Sequence, residues 1–448
     1  MRQNMVRYFS VAMFGTLVFI WTAGVGAQAA DNRAIDKVAP KIVPVGKFTL
    51  RFEPGECVVG GKTVHVRKPV LLELTPNKVE QVRGEKHKLA SVKPQGWRDG
   101  TRLRRVIGAG ITLPGCMTPG SVVVRSVSGD TTYEKGKDYL VDETWGMLGR
   151  VAGGRIAADE VVAIDYKFST CRLDTIQVAA NGTVSLRKGG EATTCPHPAG
   201  ADEGCLALAN VFVRYNAAEL KAGDIFPIGP ALPAPTAQES AKKASRVAKA
   251  RAKLQAGEKL LVGFWGDSVT CGGDASRVET RFPDATIIAL RKKYPRAKIE
   301  FFNAGIGGSN SMGRLPNLDK DVLQKKPDLV VIEFVNDMGF SPDIMRKNYY
   351  QAIDRIRGIG AEVILITPHF MWPRSMGMKD CRGIDRRLAC QTLREIAEEK
   401  QVGLADAARV WQHLYKVGIP YTTLLKNGFN HPDDRGHQIF VDELMKFF

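Results

Sequence analysis

The C-terminal part of the chain alternates short apolar runs with longer amphipathic segments. The apolar runs have the length of strands, and they read LLVGFW, KIEFFN, DLVVIEFV and EVILIT, with VGLAD as a weaker fifth. Amphipathic segments such as DIMRKNYYQAIDRIRGIG lie between them. Continuous apolar strands that alternate with helices predict a parallel sheet covered on both faces, which is an α/β fold with three layers. In such sheets ligands bind beyond the carboxyl ends of the strands.

The region from about residue 40 to residue 230 has a different pattern. Its apolar runs are short, rich in valine and separated by turn residues, as in GSVVVRSV and EVVAIDYKF. The segment TIQVAANGTVSLR predicts a β-hairpin, because Asn181-Gly182 suits the positive φ angles of a tight two-residue turn. We therefore expect a β-rich, sandwich-like accessory domain over residues 40–230.

Residues 231–257 connect the two regions. Their Pro/Ala-rich start is typical of a linker, and the rest contains good helix formers with few large apolar side chains. The segment predicts a solvated connecting helix, with a docking surface for an anionic polymer as the alternative. The last domain then spans residues 258–448. The basic side chains of the connecting segment are Lys242, Lys243, Arg246, Lys249, Arg251 and Lys253.

The first 29 residues have the layout of a secretory signal peptide. Arg2 and Arg7 precede an apolar run, and Ala27-Gln28-Ala29 offers a small-residue cleavage site. This layout predicts a secreted or periplasmic protein, with a retained membrane anchor as the alternative.

The charge of the chain favours anionic partners. The formal net charge is +17, and it becomes +15 once the two arginines of the predicted signal peptide are removed. Such a balance suits acidic polysaccharide, cell wall or a membrane surface, whereas predicted export argues against nucleic acid.

The eight cysteines predict disulfide bonds in an exported chain, since their number is even. The local pairs would be Cys195 with Cys205 and Cys381 with Cys390. No CxxC pair with zinc-site spacing is present, so we predict no metal, and we predict no cofactor.

Polar residues or glycines follow each of the predicted C-terminal strands. Asp267 and Ser268 follow the first run, and Asn303 and Gly305 close the second. Because the strands are parallel, these groups are expected at one edge of the sheet. A single Gly-Asp-Ser is common by chance, but this ordered series is much less so. The later members are Asn336 and Asp337, His369 and Trp372, and, near the C-terminus, His431 and His437.

This series resembles the SGNH hydrolases, also called GDSL-type esterases and lipases, over roughly residues 259–448. The resemblance implies a three-layer α/β/α sandwich with Ser268 as nucleophile and His431 as base. It also implies an oxyanion hole formed by the backbone N–H groups of Ser268 and Gly305 and by the side-chain amide of Asn336.

The sequence departs from the family pattern at the position of the third triad member. The family acid normally lies three residues before the histidine, and Gly428 occupies that position. The alternatives are a Ser–His dyad, or an acid from elsewhere such as Asp406 or Asp433.

The remaining residues of the series receive supporting roles. We expect Asp267 and Asn303 to brace their loops and His437 to be structural. His369 and Trp372 lie where substrate would sit, although packing in the core or at the rim suits them better.

The sequence thus predicts a secreted serine esterase that acts without a metal through an acyl-enzyme on Ser268. Export and an accessory β domain favour O-acetyl groups on a polysaccharide as the substrate. One alternative is a lipase, lysophospholipase or thioesterase with the same machinery. Another is a non-catalytic, carbohydrate-binding envelope protein that retains the fold.

Overall fold

The computed structural model describes residues 41–376 and 388–448. The predicted signal peptide lies outside the described residues, and so does Cys381, one member of a predicted disulfide pair. Within the described ranges, no helix combines the length and the apolar character that crossing a bilayer requires.

The N-terminal region consists of antiparallel strands, as predicted. Its sheets have the orders β1-β2-β5, β3-β4, β10-β13-β6, β11-β12-β7, β8-β9 and β15-β14-β16-β17. The strands are β1 (Ile42–Pro44), β2 (Thr49–Phe52), β3 (Gly55–Val59), β4 (Lys62–Val66), β5 (Val70–Glu73), β6 (Val79–Lys88), β7 (Thr101–Arg102), β8 (Ile107–Gly108), β9 (Ile111–Thr112), β10 (Val123–Ser126), β11 (Tyr139–Asp142), β12 (Met147–Arg150), β13 (Val161–Ser169), β14 (Arg172–Ala179), β15 (Val184–Arg187), β16 (Cys205–Val213) and β17 (Ile225–Pro227).

These small sheets bury their apolar side chains in two separate cores. One core includes Val124, Ile164 and Tyr166, and the other includes Phe52 and Val178. The region is therefore β-rich, as expected, but its apolar side chains are divided between two clusters.

The predicted hairpin joins β14 and β15, with Val178 opposite Val184. Its loop is one residue longer than predicted, because the N–H of Ala179 donates to the carbonyl oxygen of Thr183. Only Gly182 in this loop has a positive φ, +85°. A turn that ends on a single left-handed glycine suits a three-residue connection.

The C-terminal region contains one parallel sheet of five strands in the order β19-β18-β20-β21-β22. The strands are β18 (Lys259–Gly266), β19 (Lys298–Gly305), β20 (Leu329–Glu333), β21 (Glu362–Ile366) and β22 (Gly403–Ala405). The chain first places β19 on one side of β18 and then crosses to place β20 on the other side. The order therefore reverses at β18, and the carboxyl end of β18 is where a doubly wound sheet binds its ligand.

Helices cover both faces of this sheet. The helix Phe282–Lys293 packs against Asp434–Met445 on one face, and Pro342–Gly358 packs against Leu388–Glu399 on the other. This is the predicted three-layer fold. The helices of the described residues are α1 (Ala237–Ser245), α2 (Ala248–Ala256), α3 (Phe282–Lys293), α4 (Ser311–Arg314), α5 (Leu318–Asp321), α6 (Pro342–Gly358), α7 (Leu388–Glu399), α8 (Ala407–His413) and α9 (Asp434–Met445).

The basic connecting segment is docked on the C-terminal domain. Val247, Ala250 and Leu254 are buried in the core of that domain. Its cations contact acceptors of the same domain, since Lys242 pairs with Glu398 and Lys253 with Asp328. Arg246 also pairs with Glu398. Lys243 donates to the carbonyl oxygen of Leu404, and Arg251 donates to that of Phe447. The first helix of the segment, Ala237–Ser245, has no buried residue, as a solvated helix would, whereas the second, Ala248–Ala256, packs into the core of the domain.

The predicted disulfide between Cys195 and Cys205 is not formed, and both thiols are free. Cys205 begins β16 and lies opposite Ala179 of β14. Cys195 lies elsewhere, where its carbonyl oxygen accepts a hydrogen bond from Arg435. The two residues are close in sequence but are held by different parts of the fold.

Candidate active site

The register of the sheet brings the predicted site residues to one edge. Gly266 of β18 lies opposite Gly305 of β19 on one side and opposite Glu333 of β20 on the other. Ser268 therefore emerges between the segments that carry Gly305 and Asn336. A side chain at residue 266 would collide with Thr270 Oγ1 at 2.0 Å and with the carbonyl oxygen of Glu333 at 2.1 Å, so only glycine fits this turn.

Ser268, His431 and a third side chain form one hydrogen-bonded chain. His431 Nε2 lies 2.9 Å from Ser268 Oγ. On the other side of the ring, His431 Nδ1 lies 2.8 Å from Oδ2 of Asp274. All three residues are partly buried. The arrangement lets the imidazole accept the serine proton while the carboxylate holds Nδ1 protonated.

The acid of this triad is thus Asp274, which does not lie in the segment just before His431. It is also neither of the two alternatives that the sequence suggested, Asp406 and Asp433. Asp406 caps α8 and pairs with Arg394. Asp433 caps α9 and pairs with Arg435. Gly428 has a φ of +67° and packs against Pro114 of the N-terminal region, which leaves no place for an acidic side chain. The prediction of a dyad is also wrong, because Asp274 completes a triad.

Asp274 reaches the histidine from the loop that follows the nucleophile. The N–H of Gly273 donates to the carbonyl oxygen of Ser268. This hydrogen bond turns the loop back towards the imidazole of His431. A Cβ at residue 273 would lie 2.9 Å from two ring atoms of His431. Asp274 itself has a φ of +66°, in the left-handed region that aspartate adopts more readily than most residues. Glycine before the acid therefore provides the space that the ring needs.

Two buried histidines hold the backbone next to the triad. His369 Nε2 donates to the carbonyl oxygen of Asn430 at 2.5 Å, and His437 Nε2 donates to that of Gly273 at 3.2 Å. Both side chains are fully buried, and burial lowers the pKa of His369 to about 3 and that of His437 to about 4. They are neutral at physiological pH. Because its side chain is fully buried, His369 cannot contact a substrate. The alternative prediction that it lies on the substrate side is therefore wrong.

The amide of Asn336 lies beside the nucleophile loop. Its backbone N–H donates to Asp267 Oδ2 at 2.9 Å, and Asp267 Oδ1 accepts the N–H of Val269. Asp267 therefore braces the two segments that flank Ser268. The Asn336 side chain donates one N–H to the carbonyl oxygen of Ser309. Within the described residues, the second N–H of the same amide has no acceptor.

Gly305 does not offer the donor that the sequence predicted. Its N–H donates to Oδ1 of Asn303 at 2.8 Å, while Nδ2 of Asn303 donates to the carbonyl oxygen of Thr270. Asn303 is thus a turn brace that takes up this N–H. Glycine is needed at 305 because a Cβ would lie 2.3 Å from the backbone nitrogen of Cys271.

Three carboxyl groups lie buried in the segments around Ser268. Burial raises the pKa of Asp267 to about 7 and that of Asp337 to about 6, and it raises the pKa of Glu333 well above its usual range. Glu333 accepts a hydrogen bond from Thr270 Oγ1, and Asp337 accepts one from the Tyr349 hydroxyl. Desolvation disfavours the charged form of each group, and repulsion from the neighbouring carboxylates raises the pKa of Asp267 and Glu333 further.

Replacing Glu333 with glutamine is expected to stabilise the protein more at pH 8 than at pH 5. Between the unfolded pKa, near 4, and the higher pKa in the folded protein, the folded state binds more protons than the unfolded chain. The free energy of unfolding supplied by Glu333 therefore falls as the pH rises through this window. A neutral amide removes this loss. We therefore expect the Tm of the variant at pH 8 to exceed that of the wild type by about 2–4 °C, which corresponds to about 1 kcal/mol of unfolding free energy.

Thermal unfolding of the wild type, Glu333→Gln and Glu203→Gln at both pH values checks this expectation. Glu203 is an exposed glutamate, so its replacement controls for a change in net charge. An equal effect of Glu333→Gln at pH 5 and pH 8 would contradict a protonated carboxyl at this position.

The N-terminal region contacts the segment that carries His431. Thr194 Oγ1 donates to the carbonyl oxygen of Lys426 at 3.0 Å. Arg435 donates to the carbonyl oxygens of Cys195 and Pro196. The β-rich region therefore helps to hold the loop that carries His431, a contact that no sequence motif indicated.

Trp372 is partly buried. Its backbone N–H donates to the carbonyl oxygen of Phe429 at 2.6 Å, and its ring contacts Trp145 of the N-terminal region. In the described parts of the chain, no cluster of His, Cys, Asp or Glu could hold a metal ion.

Residues 264–439 match the model of the GDSL-like lipase/acylhydrolase family. No curated protein matches the chain. Among solved structures, a two-domain esterase active on acetylated mannans shares 24% identity over 45% of this chain and 52% of that chain, with a TM-score of 0.39. The chain thus spans about half the length of that esterase.

Two further solved structures match the same part of the chain. An acetyl xylan esterase, AlAXEase, shares 22% identity over 42% of this chain and 98% of that chain, with a TM-score of 0.35. A mutant of an acetylxylan esterase from Geobacillus stearothermophilus shares 21% identity over 42% of this chain and 92% of that chain, with a TM-score of 0.32.

The family match begins inside β18, just before Ser268, and ends in α9, just after His431. It covers the last three residues of β18, the other four strands of the sheet and the segments at its carboxyl edge, but not the β-rich region. Residues 264–439 of this chain therefore form a GDSL-like lipase/acylhydrolase domain, the type of domain that serine ester hydrolases carry.

Proposed function

We propose that this protein hydrolyses carboxylic esters through an acyl-enzyme on Ser268. The observation that carries the proposal is the hydrogen-bonded chain from Ser268 through His431 to Asp274, with contacts of 2.9 and 2.8 Å. A serine hydroxyl without such a base is a poor nucleophile near neutral pH. A complete triad also removes the main argument for a non-catalytic binding protein, which was the missing acid.

The reaction follows from the order of the contacts. His431 Nε2 takes the proton of Ser268 Oγ as the oxygen attacks the ester carbonyl carbon. Asp274 stabilises the imidazolium that forms. His431 then gives the proton to the alcohol oxygen, the carbon–oxygen bond of the ester breaks, and the acyl group stays on Ser268. A water molecule, activated by the same imidazole, releases the acid and restores the serine.

The oxyanion of the tetrahedral intermediate needs donors near Ser268. The side-chain amide of Asn336 and the backbone N–H of Ser268 meet this need. A third candidate is the backbone N–H of Gly308, which has no acceptor within the described residues. Gly308 directly precedes Ser309, whose carbonyl oxygen accepts the hydrogen bond from the Asn336 side chain. One aligned donor of this kind lowers the barrier by about 3–4 kcal/mol.

The substrate we propose is an O-acetyl group on an extracellular polysaccharide. The predicted signal peptide and the net positive charge support a substrate outside the cell. The β-rich region contacts the His431 segment, so a long substrate that reaches His431 also meets this region. A polymer can use such an extended surface, whereas a small ester cannot.

The protein is expected to prefer short acyl groups. Hydrolysis of 4-nitrophenyl acetate should exceed that of the decanoate ester by about tenfold or more in kcat/KM. Acetate release from an acetylated polysaccharide, measured enzymatically, should accompany this preference. A preference for the decanoate ester would instead favour a lipase or lysophospholipase, and no turnover of any ester would overturn the esterase proposal.

A further inference from the structure

An aromatic cluster lies at the junction of the two regions. Trp145 of the N-terminal region packs edge to face on Trp372, with ring centroids 5.5 Å apart, and on Phe429 at 5.6 Å. Trp97, also from the N-terminal region, lies 6.2 Å from Phe429. Trp145 is buried, whereas the other three rings are partly exposed. Both regions thus contribute aromatic surface to one patch.

This patch adjoins the triad. Phe429 precedes His431 by two residues, and Oδ1 of Asn427 accepts the backbone N–H groups of both. The backbone of Trp372 is bound to that of Phe429 by the contact described above. Phe429 and Trp372 are therefore held by the same loop that presents the imidazole to Ser268.

Two guanidinium groups lie over the tryptophan rings of the patch. Arg98 Cζ is 4.5 Å from the ring centroid of Trp97, and Arg374 Cζ is 5.9 Å from that of Trp372. Both arginines are exposed. Neither forms an ion pair with an acid of the described residues, whereas Arg155 and Arg214 of the N-terminal region both do. A guanidinium that stacks on a ring keeps its in-plane N–H donors for a carboxylate.

We propose that this patch is a subsite for an acidic sugar residue, a uronate, of the acetylated polysaccharide. The proposal rests on the esterase function proposed above and specifies its substrate. The apolar C–H face of the sugar ring packs against the exposed surface of Trp97, Trp372 and Phe429. The uronate carboxylate binds Arg98 or Arg374, in the bidentate geometry that a guanidinium offers. A neutral sugar offers no carboxylate to these two guanidinium groups.

The variant Arg98→Ala/Arg374→Ala tests this subsite. On acetylated polygalacturonate, its KM should rise about tenfold or more, while kcat/KM for 4-nitrophenyl acetate stays within twofold of the wild type. On acetylated xylan, a substrate with few acidic sugars, the KM should change little. Arg67→Ala, which removes an exposed arginine elsewhere in the N-terminal region, is the matched control and should behave as wild type. An unchanged KM on the acidic polymer, or an equal rise on both polymers, would overturn the proposal.

A binding measurement separates this proposal from the esterase proposal. Deacetylated oligogalacturonate, titrated calorimetrically into the wild type, should bind, and the double variant should bind it at least about tenfold more weakly. Binding that is lost in the double variant but kept in Arg67→Ala supports the subsite even if no ester is hydrolysed. Equal binding by the wild type and the double variant would reject the subsite and leave the esterase proposal intact.

Discussion

Replacing Asp274 with asparagine is expected to lower kcat for 4-nitrophenyl acetate by about 10³- to 10⁴-fold. An amide at this position can donate a hydrogen bond to His431 Nδ1, which leaves the proton on Nε2. The imidazole then cannot accept the proton of Ser268 Oγ, although the side chains keep their places. The contact of 2.8 Å between Asp274 and His431 carries this expectation.

Asp406→Asn is the matched control for this prediction. Asp406 was a sequence-based alternative for the same role, yet it pairs with Arg394 and caps α8. Its replacement should lower thermal stability but leave kcat within a few-fold of the wild type. If Asp406→Asn reduced kcat more than Asp274→Asn did, the assignment of the acid would be wrong.

Replacing Ser268 with alanine should lower kcat by about 10⁴-fold or more, with little change in Tm. The reaction loses its nucleophile, and only transition-state binding by the oxyanion donors remains. The rate of 4-nitrophenyl acetate hydrolysis and labelling by a fluorophosphonate probe measure the two aspects of this loss. The wild type should carry the label on Ser268, as identified from the modified peptide, and the alanine variant should carry none.

The exposed thiol of Cys271 is the natural competitor for the role of nucleophile, because it lies three residues after Ser268. The described contacts of His431 nitrogens are with Ser268 and Asp274, not with this thiol. Cys271→Ser should therefore keep wild-type activity and labelling. Loss of labelling in Cys271→Ser with retention in Ser268→Ala would contradict the mechanism.

The strands and the nucleophile could be predicted because their signals are local. An apolar run such as the one that ends at Gly266 cannot face water on either side, so it predicts a strand covered by helices. Parallel strands place their carboxyl ends together, and this rule predicts that Ser268 and Asn336 lie at one edge of the sheet. The family resemblance then supplied His431.

The acid, the oxyanion donors and the role of the β-rich region depended on the tertiary structure. A local signal for Asp274 did exist, since it follows two glycines in the loop of the nucleophile. Sequence spacing does not show that this loop folds back beneath His431, which is 157 residues away. Likewise, only the fold shows that Asn303 takes up the N–H of Gly305.

The sequence by itself determined the class of the fold, the edge of the sheet that carries chemistry, and the nucleophile with its base. The fold class and the edge follow from periodicity and residue type, which act over a few neighbouring positions, whereas the roles of the nucleophile and its base were implied by the family resemblance. The tertiary structure decided which carboxylate faces the imidazole and which aromatic and cationic side chains of the N-terminal region lie beside it. Those pairings depend on how distant segments pack, and packing is set by the shape of the whole chain rather than by any short stretch of it.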